Sequence, residues 1–577
     1  MAIIPFTETF TRLLGILNIP ASQVMVQHLT LWIGFFGAVL ATRQNKLLAL
    51  TQKPLFKDDG KFHLGRYIAK LITFLVLLSL AWGSWDLLKV EIEYPMDIAP
   101  KIPRWVAILI MPVGFLLMSI QILLKSSSNK YYRLSLISLA ILFSSTSLLE
   151  IMFDFFPSTY IGIFVILFAL YFGAPIFVGL GGISIFLFWV NFIPISAISA
   201  EAYRIVVSPT LPTIPLFTMA GYFLAESKSS KRLLSIFHEL FGWVPGGTPI
   251  IIILLCGFFT ALTGGSGVTI LALGGLLFPM LLNEGYSKSF SLGLLTVSGS
   301  IGLLFPPSLP AIIYGVTAGV SVKNVFTAGL LPGLLLITLI SCYALYQGKV
   351  NHIKLKRFSL KSALHVCNKG KWELFLPFII LFGVFGGFTT LVETAAITVL
   401  YVIYIEVFIY RDINLKDVPK VIINCSSLIG GVLIILGVAM GLTSYLVDAQ
   451  IPMELLSWAK STINNRYIFL LLLNLFLLAV GCLMDIFSAI IVIVPLIAPL
   501  GIYFGIDPVH LAIIFIANLE LGFLTPPVGM NLFLSAYRFN EPMPKIYKSI
   551  FPFFIIKLIA VILITYIPFL TLRDFNF

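Results

Sequence analysis

Stretches dominated by apolar residues, about 18 positions or longer, recur at 24–41, 64–88, 103–124, 134–153, 160–190, 374–410 and 552–570, and each could cross a bilayer as a helix. The polar residues between the first of them alternate in charge. Arg43, Lys46, Lys53 and Lys57 follow the first run, Glu91, Glu93 and Asp97 the second, and Lys125, Lys130 and Arg133 the third. Lysine and arginine are held on the cytoplasmic side, so this pattern predicts inside, outside, inside. Residues 1–17 contain Thr7, Glu8, Thr9 and Arg12 and are too short and too polar to span; they carry no basic leader region and no cleavage signal.

From about residue 160 onward glycine and proline become frequent inside apolar sequence. Such breaks survive in a membrane only where the freed backbone groups face protein, water or an ion. A shift of 220 positions superposes Pro279 on Pro499, Gly285 on Gly505, Gly302 on Gly522, Pro306 and Pro307 on Pro526 and Pro527, and Pro332 on Pro552, without a gap. With 32 prolines in 577 residues, chance would give well under one such match over this stretch, so the region is duplicated. Between the copies, 349–371 holds Lys349, Lys354, Lys356, Arg357, Lys361, Lys369 and Lys371 and no acidic residue, which predicts a cytoplasmic loop. Copies with an odd number of crossings each would be inverted relative to one another.

Each copy carries the same two-part device. In the first, Thr263-Gly264-Gly265-Ser266-Gly267 interrupts an apolar stretch, and Gly302-Leu303-Leu304-Phe305-Pro306-Pro307-Ser308 follows. In the second the counterparts are Gly481-Cys482-Leu483-Met484-Asp485 and Gly522 through Gly529. Paired prolines cannot donate backbone hydrogen bonds and clash with the preceding turn, so the helix must open. The carbonyls left before an opening suit a small cation, and the positive ends of the half-helices after it suit a carboxylate. Kinks in packed helices are the plainer reading of one such motif; two duplicated breaks with matched glycine-rich partners favour the ligand reading. Asp485, Glu520 and Glu393 add to it, because a carboxylate at membrane depth costs ~2.5–3.5 kcal/mol.

The composition agrees: 59% of residues are hydrophobic, 11% are charged, and mean hydropathy is +1.03. A soluble globular chain is roughly 45–50% apolar and about 25% charged. Disorder, collagen, a nucleic-acid binder and a cytosolic enzyme are excluded, and the formal charge of +12 reflects topology rather than a nucleic-acid partner. Five scattered cysteines (Cys256, Cys342, Cys367, Cys425, Cys482) lack metal-type spacing and read as buried or loop thiols.

Residues from roughly 160 to 570 resemble the large membrane subunit of tripartite ATP-independent periplasmic (TRAP) transporters. The likeness runs through Ile214-Pro215-Leu216-Phe217 with Ala220-Gly221, Pro245-Gly246-Gly247, Thr263 to Gly267, Gly285-Tyr286 and Gly302 to Pro310. It continues through Phe326 with Ala328-Gly329, Pro332-Gly333, Gly386 to Ala396, Asp485 and Gly522 to Asn531. Residues about 22–125, with His28-Leu29-Thr30-Leu31-Trp32 and Gly37-Ala38 to Arg43, resemble the small four-helix subunit. The chain thus resembles fused small and large subunits: a small-subunit-like membrane domain over 1–125, a linking helix over 126–158, and a transport domain over 159–577. Within the last, repeat 1 covers about 210–348, the basic loop 349–371 and repeat 2 about 374–570.

The resemblance implies an all-α polytopic protein of the bacterial inner membrane: an inverted-repeat, elevator-type secondary transporter with two re-entrant helical hairpins and two broken helices. It implies sodium-driven import of an organic acid handed over by a separate periplasmic substrate-binding protein, with sodium as the coupling ion and no other cofactor. By motif position, one sodium site would involve Thr263, Gly265, Gly302, Phe305 and Pro307, and the second Gly481, Gly522, Thr525 and Val528. The substrate would lie near Ser266 and Asp485. Three positions depart from the family pattern. The family often has Ser-Gly-Ser-Ser where this chain has Thr263-Gly264-Gly265-Ser266; Thr390-Leu391 stands where a proline is usual; and residues 1–17 resemble only the end of the small subunit's first helix.

Three other readings compete. A stand-alone sodium/dicarboxylate carrier would share the repeats but not the small-subunit region. An intramembrane serine hydrolase would use Ser266 within Gly264-Gly265-Ser266-Gly267, yet all six histidines lie near span ends or in loops. An ATP-driven pump lacks its phosphate-binding Gly-x4-Gly-Lys loop. The substrate's identity is not written in these residues.

Overall fold

The computed structural model describes residues 1–15, 19, 21–47, 64–99, 102–126, 133–138, 159–244, 246–350, 359–463, 465–526 and 529–572. Ten of its helices are long and apolar enough to cross a membrane, or up to 11 if the bent pair Lys288–Leu304 and Leu309–Ala318 is one span. The first three apolar runs form Ser22–Gln44, Leu64–Glu93 and Arg104–Lys125. Most of the run at 134–153 lies outside the described residues.

Two long runs divide. The run 160–190 becomes Tyr160–Tyr171 and Ile176–Val190, because Gly173 adopts a left-handed φ of +95° and Pro175 starts the next helix. The run 374–410 becomes Lys371–Phe385 and Leu391–Ile409, parted by Gly387 at φ +73°. The acidic loop holds a short antiparallel pair, Asp97–Ala99 with Ile102–Pro103. Ile3–Leu13 is an amphipathic helix of 11 residues, too short to span.

Contacts group the residues into two units. One holds Met1, Gly15–Pro215 and Ile422–Met453. Its centre is a glycine crossing: a Cβ on Gly37 would lie 2.1 Å from the Ser426 carbonyl oxygen, and one on Gly430 2.1 Å from the Ala38 nitrogen. Small residues there let two backbones touch, which supplies helix association where lipid offers no hydrophobic drive. Buried His28 bonds the Tyr203 hydroxyl at 2.8 Å, and Arg104 pairs with Glu91 beside the strand pair.

The other unit holds Ala2–Leu14, Leu216–Val421 and Glu454–Phe577. Here the duplication is visible element by element. Ser266–Asn283 and Ile486–Tyr503 begin and end 220 positions apart, Gly247–Thr263 and Arg466–Leu483 end in that register, and Lys288 and Pro508 open the next helices in it. Val322–Val350 and Met543–Tyr566 close the two copies.

Thr390 caps the helix Leu391–Tyr404 and forms a capping box with Glu393, a hydrogen-bonded start that needs no proline. Arg12 of the N-terminal helix adds an ion pair to the same Glu393 at 2.9 Å, so that carboxylate is engaged in holding helix ends. Arg232 on the amphipathic helix Ser229–Phe241 pairs with Glu373, Glu406 and Asp412 and lies 3.7 Å from the centre of the Tyr410 ring.

Candidate functional site

At the first break the helix Gly247–Thr263 stops because Gly264 turns left-handed at φ +68°, and Gly265 is extended before Ser266 opens the next helix. A Cβ on Gly264 would come within 2.5 Å of the Leu309 Cβ, so backbone and packing both require glycine. Downstream, Lys288–Ser298 passes through Gly299 and Ser300 into a 3-10 turn, Ile301–Leu304. Phe305 is extended, the Pro306-Pro307 bond is cis, and the chain resumes as Leu309–Ala318, bent by 43° from the earlier helix. Gly302 lies directly on the first helix: a Cβ would meet the Gly257 carbonyl at 2.2 Å and the Ala261 nitrogen at 2.6 Å. That contact joins the two parts of the device: Gly302 lies on the last turns of the helix that ends at Thr263, while the ring of Phe305 is the neighbour a Cβ on Gly333 of Val322–Val350 would meet, at 2.6 Å. The hydroxyls of Thr263 and Ser308, both buried, have no hydrogen-bond partner among the described residues.

The second break repeats the close approach of the two parts but not every backbone angle, since Met484 is extended where Gly264 is left-handed. Arg466–Leu483 ends at extended Met484, and Asp485 caps Ile486–Tyr503. A Cβ on Gly522 would lie 2.6 Å from the Gly481 Cα, and Gly522 and Gly481 are the counterparts of Gly302 and Ala261. After Pro508–Gly522 the Thr525 N–H donates to the Gly522 carbonyl at 2.9 Å and its hydroxyl to the Leu521 carbonyl at 3.0 Å. The Cys482 thiol donates to the Pro526 carbonyl at 3.2 Å. Gly481, Gly522 and Thr525 are thus together; Val528, like Pro527, lies outside the described residues.

The copies exchange partners. Ser266–Asn283 of the first packs on Met530–Phe539 of the second, and Ile486–Tyr503 of the second packs on Leu309–Ala318 of the first. Reciprocal packing of this kind is what a pseudo-two-fold relation produces. Across one of these contacts the Ser266 hydroxyl donates to the Asn531 side-chain oxygen at 2.7 Å. The other end of that buried amide has no partner among the described residues.

The two helix starts differ in charge. Asp485 accepts from the Phe487 N–H at 3.0 Å, the Ser488 N–H at 3.1 Å and the Ser488 hydroxyl at 2.6 Å. Its carboxylate occupies the positive end of its own helix. Gly265, the equivalent cap, brings no side chain, so the Ser266 and Gly267 N–H groups keep their capacity for an anion, while those of Val268 and Thr269 donate to the Gly265 carbonyl.

Sequence reasoning missed two polar groups. Asn531 lies inside a quoted motif but gains meaning only from Ser266, distant in sequence. Lys557, one helix beyond the second break and 1% exposed, bonds the Glu520 carboxylate at 3.0 Å and the Ser300 hydroxyl at 2.7 Å. Glu520, flagged from sequence, is therefore paired to a cation on a neighbouring helix. Ser266 has an amide beside it rather than the base that a nucleophilic serine needs.

A family model described as "Tripartite ATP-independent periplasmic transporter, DctM component" matches residues 161–570, and one for the DctQ component matches residues 1–128. The isethionate TRAP transporter permease protein DctMQ of Oleidesulfovibrio alaskensis is 28% identical over 564 residues, 95% of this chain and 87% of that protein. The C4-dicarboxylate TRAP transporter large permease protein DctM of Pseudomonas aeruginosa is 33% identical, over 62% of this chain and 84% of its own length. The DctM protein of Rhodobacter capsulatus is 30% identical, over 69% and 94%. The YdaH transporter crystal structure from Alcanivorax borkumensis aligns with a TM-score of 0.44 at 13% identity, covering 61% of this chain and 84% of that one, below the level that identifies a shared fold. With large- and small-component matches side by side in one polypeptide, this chain belongs to the tripartite ATP-independent periplasmic transporter family, as a fused permease of the bacterial inner membrane.

Proposed function

We propose that this permease imports a small organic anion, delivered by a periplasmic binding protein, in symport with sodium. The observation that carries the reading is the duplicated contact of a break glycine with the neighbouring helix end, Gly302 on Ala261 and Gly522 on Gly481. In both copies it brings an interrupted helix alongside the end of another, so carbonyls released by the break converge with those of the helix end. Sodium binds in these two cradles, with Thr263 and Thr525 adding hydroxyl oxygens. Val528 belongs to the second cradle by its motif position.

The anion binds at the uncharged helix start, held by the N–H groups after Gly265, the Ser266 hydroxyl and the Asn531 amide. Asp485 helps indirectly, by fixing the second hairpin tip. Relatives named for isethionate, C4-dicarboxylates and ectoine share one feature, an acid group small enough for such a start. Sodium orders the tips and the ordered tips hold the anion, a linkage with a usual scale of ~1–3 kcal/mol. The copies lie inverted in the membrane, and the breaks with their hairpins move as one body, in the manner of an elevator, between the two sides. The DctQ-type match over 1–128 favours a permease fed by a binding protein over a stand-alone carrier.

Uptake of labelled isethionate, succinate and ectoine into proteoliposomes, with the cognate binding protein on the outside, tests this. Uptake of at least one acid requires both the binding protein and an inward sodium gradient. Equal uptake with potassium in place of sodium overturns the coupling, and equal uptake without the binding protein overturns the delivery.

A further inference from the structure

Ser300 and Glu520 are equivalent positions, 220 residues apart, and each stands two residues before its break glycine. One cation reaches both. The Lys557 ammonium donates to the Ser300 hydroxyl at 2.7 Å and to the Glu520 carboxylate at 3.0 Å. Lys557 and Glu520 are each 1% exposed and Ser300 is fully buried. The residue matching Lys557 in the first copy is Ile337, so a single lysine serves two otherwise duplicated strands of structure. Its helix, Met543–Tyr566, is pressed against the first copy as well: a Cβ on Gly293 would lie 2.2 Å from the Ser549 carbonyl, and the Ser289 and Ser549 hydroxyls are 3.0 Å apart.

An ion pair at this depth does little for stability, because an apolar pair of similar volume would hold the helices at least as well. What it supplies is fixed geometry with a charge that cannot be left alone: if either partner shifts, the other must follow or stand uncompensated. Ser300 leads into the 3-10 turn at Gly302, and Glu520 lies in the last turn before Gly522. A cation drawing in the carbonyls at one break moves one end of this tether, and Lys557 passes the displacement to the other.

We propose that Lys557 is a positioning residue that couples the two cation sites, so that sodium binding at one break favours binding at the other. The inference rests on the sodium reading above. It assigns the tether Ser300–Lys557–Glu520 the role of making sodium activation cooperative.

The test is equilibrium binding of radioactive sodium to the purified full-length permease in detergent, titrated with sodium chloride at ionic strength held constant with potassium chloride. The wild type binds with a Hill coefficient of about 1.5 or more. The neutral pair Lys557→Met with Glu520→Gln binds the same number of ions with a coefficient near 1, and half-saturation rises about threefold, the scale of a modest coupling. Ser300→Ala, which leaves the ion pair intact and cuts only the arm to the first break, also falls toward 1. Lys557→Arg, which keeps a cation in place, retains most of the cooperativity. A folded Ser300→Ala or neutral-pair variant with the wild-type coefficient overturns the proposal while leaving sodium binding in place. A wild type that binds sodium with a coefficient of 1 also overturns it, and a wild type that binds no sodium overturns the reading beneath it.

Discussion

At the first break the residue in the cap position of the new helix is Gly265, and the Thr263 and Ser308 hydroxyls have no partner among the described residues. At the second, the equivalent residue is Asp485, whose carboxylate already accepts three hydrogen bonds from the helix it starts. The same close approach, Gly302 on Ala261 and Gly522 on Gly481, is present in both copies, although Gly264 turns left-handed where Met484 is extended. The side chains have diverged around it. Duplication supplies one close contact twice, and substitution leaves one helix start without a capping side chain and gives the other its own cap.

Destroying the shared contact should have the largest effect. Valine at Gly302 or Gly522 would push carbons into backbone atoms 2.2–2.6 Å away, which cannot move as a side-chain tip can. Overpacking costs ~1–3 kcal/mol where neighbours relax, and here they cannot, so G302V or G522V should abolish monodisperse protein on size-exclusion chromatography. Gly265→Ala is the control: its Cβ has only a Val268 methyl nearby, at 3.5 Å, and the variant should elute as wild type.

Next in size comes the unpartnered hydroxyl. Thr263→Val removes an oxygen at nearly constant volume, and loss of a cation ligand worth ~1–2 kcal/mol should raise half-saturation for sodium about 5–30-fold in uptake assays. Gly265→Ser should act in the opposite direction, because the space there admits a hydroxyl.

The self-capped start predicts a smaller and more selective effect. Asp485→Ala loses a helix cap, ~1 kcal/mol, and should lower the melting temperature by a few degrees. Asp485→Asn keeps a capping oxygen and should melt as wild type. If uptake by the asparagine variant also matches wild type, Asp485 acts through the cap alone; if uptake falls, its charge contributes as well.

The smallest effect lies outside the breaks. Hydrogen bonds from Lys288 and Lys545 hold the Glu541 carboxyl below its ordinary value of 4.5. A depressed folded-state value means stability that is present above the unfolded carboxyl range and lost as pH falls through the folded one. Between pH 7 and pH 3.5 the wild type should therefore lose slightly more melting temperature than Glu541→Gln, with the difference shrinking at high salt.

Much of this was legible before any coordinates. The duplication survives at one fixed shift because glycines and prolines are demanded by backbone geometry, and Gly302, Gly522 and the proline pairs are such positions. The division of 160–190 and 374–410 was not legible, since apolarity reports what surrounds a helix and not where it stops; Gly173 and Gly387 sit among other glycines in the same runs, and most of those lie inside helices. Lys557 carries no motif and is informative only because folding brings it to Ser300 and Glu520. Ser266 and Asn531 are 265 residues apart, and only the exchange of partners between the copies joins them.

The most direct test of two cation cradles needs no substrate. The melting temperature of the purified permease is measured in sodium chloride and in potassium chloride of equal concentration, for wild type and Thr263→Val. A ligand that binds only the folded state raises stability by mass action, so sodium should raise the wild-type midpoint by several degrees over potassium and raise that of Thr263→Val by less. Superimposable curves in the two salts would contradict the account.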